Sequence, residues 1–213
     1  MNVPIPCPFG HPKKLWHQVA FSLLFLVTAG HTDAGRQPVT SGGTWRITAG
    51  DVRVRCRLTV GGSFNATTSN ISGFIATPPT GETLSAVAVA VELSALDTGI
   101  NLRNQHLRNR YLAVTRGPGY RQAQLSALQL ETPLPQVLTT HHTGFVGTLL
   151  FHGIEHGITG TAEIRRMDRR LQVEAKFEVS LNDFDIPPPR YLGVGVRDAV
   201  AITVSFIATR EAP

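Results

Sequence analysis

A chain of 213 residues is long enough for one domain with a substantial core. Its 42% hydrophobic and 16% charged content exclude a disordered polymer and a polytopic membrane protein. The net charge of +5, from 20 Lys+Arg against 15 Asp+Glu, permits contact with phosphates or anionic membrane surfaces but does not require it.

At the start of the chain, Lys13 and Lys14 precede the apolar run VAFSLLFLVTAG, residues 19–30, and small residues follow. This order predicts a secretory signal peptide over residues 1–34, cleaved after Ala29 or Ala34, and a mature domain over 35–213. The run is short for a bilayer span, and no cysteine directly follows it to carry a lipid anchor, so a periplasmic protein that does not span the membrane when mature is expected. Removal of Cys7 with the signal leaves Cys56 alone, and the fold must stand without an internal disulfide.

Beyond a strand expected at 45–48, DVRVRCRLTV alternates strictly over residues 51–60. Val52, Val54, Cys56, Leu58 and Val60 share one face; Arg53, Arg55, Arg57 and Thr59 share the other. Side chains on a strand alternate with period two, so one face is dry and one wet. Further strands are expected at 71–76, 84–93, 122–130, 145–151, 159–164, 171–180 and 200–208, punctuated by Gly and Pro turns. One segment breaks the period. Over residues 100–112, Leu102, His106, Leu107 and Tyr111 recur at helical spacing, which predicts a short amphipathic helix with Thr98 or Asn101 as its cap. Many strands, short turns and one helix point to an all-β antiparallel barrel or sandwich. Eight strands closed into a barrel leave an interior that side chains can fill or one small ligand can occupy. The arginines are dispersed apart from RRMDRR at 165–170, expected to be a solvated hairpin tip, and no nucleic-acid partner is implied.

The stretch HGIEH, residues 152–156, has the form H-x-x-E-H, a zinc-peptidase pattern when it lies on a helix. Here Gly153 and Gly157 bracket it among β-branched neighbours, and each glycine costs a helix about 1 kcal/mol relative to alanine. Strand, tight turn and strand are expected instead. A zinc-dependent hydrolase using His152, Glu155 and His156 is the enzymatic alternative. Chance metal binding by His141, His142, His152 and His156 is another reading. The expectation is no catalysis, no metal and no cofactor.

Three stretches resemble the YceI family. LDTGINLRNQHLRNRYL (96–112) is similar to that family's D-T-G followed by R-D-x-H-L-R, with Asn104 where aspartate is usual. GTLLFHGIEHGIT (147–159) is similar to its L-x-L-H-G-V strand and turn, and DFDIPPPRYLGVGVRDAVAITVSF (183–206) to its closing segment. The resemblance covers about residues 44–209; Gly43-Thr44-Trp45 also looks like the G-x-W that opens lipocalins. It implies an antiparallel lipocalin-like barrel of about eight strands with one short helix, exported from a bacterial cytoplasm and holding a long-chain isoprenoid or quinone-like lipid. It is also compatible with a homodimer. Arg103, His106 and Arg108 become candidates for the mouth, where cations could meet a pyrophosphate or polar lipid head. His152, Phe184 and Tyr191 become candidates to line or cover the cavity. The rival to a lipid carrier is a filled barrel acting as an envelope interaction module.

Overall fold

In the computed structural model, strand β1 runs unbroken over Gly43–Leu58 and joins the two strands expected at 45–48 and 51–60. The structure describes residues 42–78, 83–135, 138–191 and 193–211, with only the backbone of Tyr191; the expected signal peptide, residues 1–34, lies outside them. The inward positions of β1 change parity along its length. Trp45 and Ile47 are buried at odd numbers, Val52 at an even one. A register shift between Ile47 and Ala49 against the neighbouring strand inserts one extra residue, and that bulge resets the alternation. At its other end β1 stops at Leu58, whose N–H donates to the Gly62 carbonyl at 3.0 Å. Gly61 and Gly62 reach φ of 95° and 80°, values that glycine adopts without strain. Val60 is therefore 69% exposed in the turn and does not extend the dry face as expected.

The remaining strands are β2 (Ser63–Thr68), β3 (Ile71–Thr77), β4 (Ala86–Glu92), β5 (Gln122–Leu130), β6 (Thr140–Phe151), β7 (Ile154–Met167), β8 (Arg170–Ser180), β9 (Arg190–Tyr191) and β10 (Val194–Arg210). Each neighbouring pair is antiparallel, and β1 pairs with β10 to close the sheet. Strands β2 and β3 act as one interrupted partner of β1: β3 pairs with residues 43–46 and β2 with residues 52–57. The result is a closed antiparallel barrel of eight strands, which leaves no long free edge among the described residues. Strand β2 was not anticipated, because SFNATT has too few apolar residues to show a period. A second bulge lies in β5, where Ala127 has φ 49° and the pairing to β6 shifts between Ser126 and Gln129.

Between β4 and β5 the chain forms α1 (Asn101–His106), which continues into a π-turn over Leu107–Tyr111, and then a four-residue helix α2 (Pro118–Arg121). The expected helix is present, but its cap is not. Ile100 occupies the N-cap position without a side-chain bond, while Thr98 turns to the Asn104 side chain instead.

The barrel has two unlike ends. Where β1 begins and β10 finishes, Trp45, Leu134, Phe145 and Leu171 are buried and close the interior. The guanidinium of Arg166 lies 5.5 Å from the Trp45 ring and that of Arg210 5.8 Å. Arg166 also donates to the Pro135 carbonyl at 3.3 Å and Arg169 to the Arg210 carbonyl at 3.2 Å. The basic hairpin tip is thus only partly a solvated face; two of its arginines tie down the closed end.

Candidate functional site

The barrel encloses a cavity of about 1050 Å³. It stays hollow because several inward positions carry little bulk: Ala66, Ala123, Ala162 and Ala175 lie on its wall, and Ala162 and Ala175 face each other across β7 and β8. The rest of the wall is almost wholly Val, Leu, Ile and Phe. Cys56 is one of its few polar atoms. Burial pushes its thiol from 9.0 up to about 11, and the charge of Arg103 offsets a small part of that. Less thiolate means a slower thiol. At pH 8 an apolar alkylating reagent should modify Cys56 roughly tenfold more slowly than a free cysteine. A bound lipid should slow it further. Thiol labelling followed by mass spectrometry checks this, and rapid labelling of the loaded protein would contradict it.

The opening lies where β1 ends and β10 begins. Ile100 and Leu102, 50% and 61% exposed, stand at this rim with His106, Arg110 and Arg190, whereas the wall at the other end is buried. Residues 103, 106, 107 and 110 all line the cavity, and they follow the i, i+3, i+4, i+7 spacing of a single helical face. Arg103 lies with its guanidinium 4.3 Å from the Phe64 ring.

Of the residues expected at the site, Arg103 and His106 are on the cavity wall. Arg108, His152 and Phe184 are not; each is engaged elsewhere. Arg108 points off the lining face and donates to the Leu96 carbonyl at 3.0 Å. Its Nε is buried with no hydrogen-bond partner among the described residues. His152 and Gly153 form the β6–β7 turn with φ of 53° and 80°, the positive pair that a two-residue hairpin requires. The His152 Nδ1–H donates to the Phe184 carbonyl at 2.8 Å, since a carbonyl can only accept, and Tyr120 packs edge-on at 4.8 Å. Phe184 is 1% exposed and packs at 5.2 Å from Phe151 and 5.8 Å from His156. It therefore braces the rim from outside the cavity. The side chain of Tyr191 lies outside the described residues. Arg110 and Arg190, absent from the expectation, are on the wall.

The H-x-x-E-H stretch lies on a strand, a turn and a strand. Leu150 pairs with Glu155 and Leu149 with His156, so no helical turn brings the two histidines onto one face. His156 instead bonds the Gly157 carbonyl at 2.9 Å and approaches Asp183 at 3.8 Å. Among the described residues, no group of three or more His, Cys, Asp and Glu could hold a metal ion.

The segment before the helix is locked by Asn104, which is 7% exposed. Its amide oxygen accepts from the Thr98 N–H and hydroxyl at 2.8 and 2.7 Å, and its amide nitrogen donates to Asp97 at 2.7 Å. The Asp97 carboxyl is held below its usual range by the Gly99 N–H first and by the Asn104 amide next. The amide donates to the Asp97 carboxylate, a bond that an ionised aspartate at this position could not make. Asn104→Asp should lower the melting midpoint by several degrees at pH 7. The sign of its pH dependence should also invert. In the parent, the contribution of Asp97 is complete above its unfolded pKa and is lost as pH falls through its depressed folded value. In the variant, two adjacent carboxyl groups need a shared proton, so acidification should restore stability first. Melting curves from pH 4 to 8 check it.

The family model of the YceI-like domain matches residues 44–208. The chain belongs to the YceI-like family. Its barrel is similar to a polyisoprenoid binding domain from Saccharophagus degradans implicated in plant cell wall breakdown, with a TM-score of 0.60 and 13% identity over 78% of this chain and 98% of that one. It is also similar to BcnA of Burkholderia cenocepacia, with a TM-score of 0.57 and 13% identity over 74% of this chain and 96% of that one. At such identities the likeness is one of fold. No curated protein matches the chain. The YceI-like barrel contains no helix, among its described residues, long and apolar enough to cross a membrane.

Proposed function

We propose that this protein binds a long-chain polyisoprenoid or similar apolar lipid inside its barrel and carries or sequesters it in the periplasm, without catalysis, after loss of residues 1–34. The observation that carries this reading is the hollow interior of about 1050 Å³ with an aliphatic and aromatic wall. Each buried CH2 contributes about 0.8 kcal/mol, so ten of them supply about 8 kcal/mol before the costs of ordering the chain. No polar contact is needed for useful affinity, and the length of the cavity sets which chains fit. The similar polyisoprenoid binding domain of Saccharophagus degradans supports the same class of ligand. A filled-barrel interaction module needs a plugged interior, which the cavity disfavours; a zinc hydrolase needs the helical turn that the β6–β7 hairpin lacks.

Organic extraction of protein purified from its exported form should release a long apolar molecule, about one per barrel, identifiable by mass spectrometry. An empty extract, together with no binding of an added polyprenol to the purified chain, would sink the proposal.

A further inference from the structure

We infer that the open end of the barrel docks on an anionic phospholipid bilayer, with the crossover from β4 to β5 as its contact surface. The inference rests on the reading of that opening as the place where a lipid chain enters, and adds the surface from which the chain comes. From Thr98 to Arg121 the crossover holds five arginines and no Asp or Glu. The rest of the chain holds 15 basic and 15 acidic residues, so the whole net charge of +5 falls on this one segment. The fold sets the segment at the open end: Glu92 ends β4 opposite Gln122, the first residue of β5, and that pair lies at the far end of the strands from Trp45. Arg110, Arg116 and Arg121 are exposed there.

Charge alone would suit many partners; the apolar side chains beside it point to a bilayer. Ile100 and Leu102 are exposed in the same crossover, and Val60 is exposed in the turn between β1 and β2. The Thr59 N–H donates to the Gly195 carbonyl at 2.8 Å, which holds that turn against the start of β10 at the same opening. Two segments far apart in sequence thus present large aliphatic side chains to solvent around one mouth, among cations. Leu138, Val146 and Ile207 are exposed as well, but they stand apart, on a loop, on β6 and on β10. Binding at a membrane interface grows with the apolar area buried and with the attraction of basic residues to anionic lipid, and this end of the barrel supplies both. A mouth seated on the bilayer also lets a long apolar chain pass into the cavity without exposing its length to water.

The test floats protein purified from its exported form with two kinds of vesicle, phosphatidylcholine alone and phosphatidylcholine with an equal part of phosphatidylglycerol, at low and at high salt. At low salt the mixed vesicles are expected to bind at least about tenfold more tightly, because several arginines act together near a negative surface. High salt should weaken that binding. The I100S/L102S variant keeps every charge and should bind the mixed vesicles several-fold more weakly. R110Q/R116Q keeps the aliphatic side chains and should narrow the preference for anionic lipid. L138S, beside the start of β6 at the closed end, should change neither. Equal affinity for the two vesicles at low salt overturns the inference, as does undiminished binding by I100S/L102S, or a loss in L138S as large as theirs. The lipid comparison and the salt series on the parent protein decide the matter even if a variant does not fold. Flotation reads docking apart from cavity contents. Protein that yields a lipid on extraction but does not float overturns the docking alone; protein that floats, yields no lipid and binds no added polyprenol overturns the lipid reading alone.

Discussion

Phenylalanine placed at both Ala123 and Ala175 is expected to reduce recovery of co-purified lipid at least about tenfold while the barrel stays folded. Both alanines lie on the cavity wall, one on β5 and one on β8, so the two rings enter the interior from separate strands. Neither substitution breaks a backbone pairing: Ala123 sits opposite Val91, and Ala175 opposite Ala162 and Val204. The added bulk takes the space that the lipid chain would fill, and every displaced CH2 forfeits about 0.8 kcal/mol of binding. Circular dichroism and a melting curve show whether the fold survives; extraction and mass spectrometry show whether the lipid does. A folded double variant that still carries its full complement of ligand would mean that the lipid lies elsewhere.

Phe184→Ala is expected to cost about 3 kcal/mol of stability, within the range for large-to-small changes at fully buried aromatic sites. For a domain of this size that corresponds to a fall of about 10 °C in melting midpoint. Phe184 sits in the 3-10 turn Asn182–Phe184 and fills the space between Phe151 and His156, while its carbonyl receives the His152 bond. Its loss should therefore loosen the β6–β7 turn against the segment before β9. His152→Ala removes the donor but leaves the ring, so it should cost less. The measurement discriminates between two tasks for Phe184. A wall residue would lose ligand affinity with little change in melting; a brace loses stability first. A midpoint unchanged by Phe184→Ala would contradict the brace.

Most of the strands were legible because their alternation is a local property of the chain. LQVEAKFEVS over 171–180 shows it, and β8 occupies Arg170–Ser180. The break at residues 100–112 was legible for the same reason, with period 3.6 in place of period two. What local pattern could not show was the parity change across the two bulges, since an extra residue at Thr48 or Ala127 becomes visible only against the partner strand. The site was legible in part. Arg110 could have been found, because 103, 106, 107 and 110 trace one helical face and 108 does not. Arg190 carried no such signal, as it follows three prolines and belongs to no periodic segment. His152 stood out through a motif, yet its role is to hold a tight turn, a long-range bond to Phe184 that no spacing within HGIEH encodes.

From residue order alone follow the all-β class and the amphipathic segment near residue 100, because each depends on neighbours within a few positions. That the interior is hollow, that Arg103 and Arg110 face it while Arg108 is tied to Leu96, and that Arg190 joins them at the opening depend on the closing of β1 on β10. Enclosed volume is a property of walls far apart in the chain, and only their meeting decides whether small side chains leave space or have it filled from across the barrel.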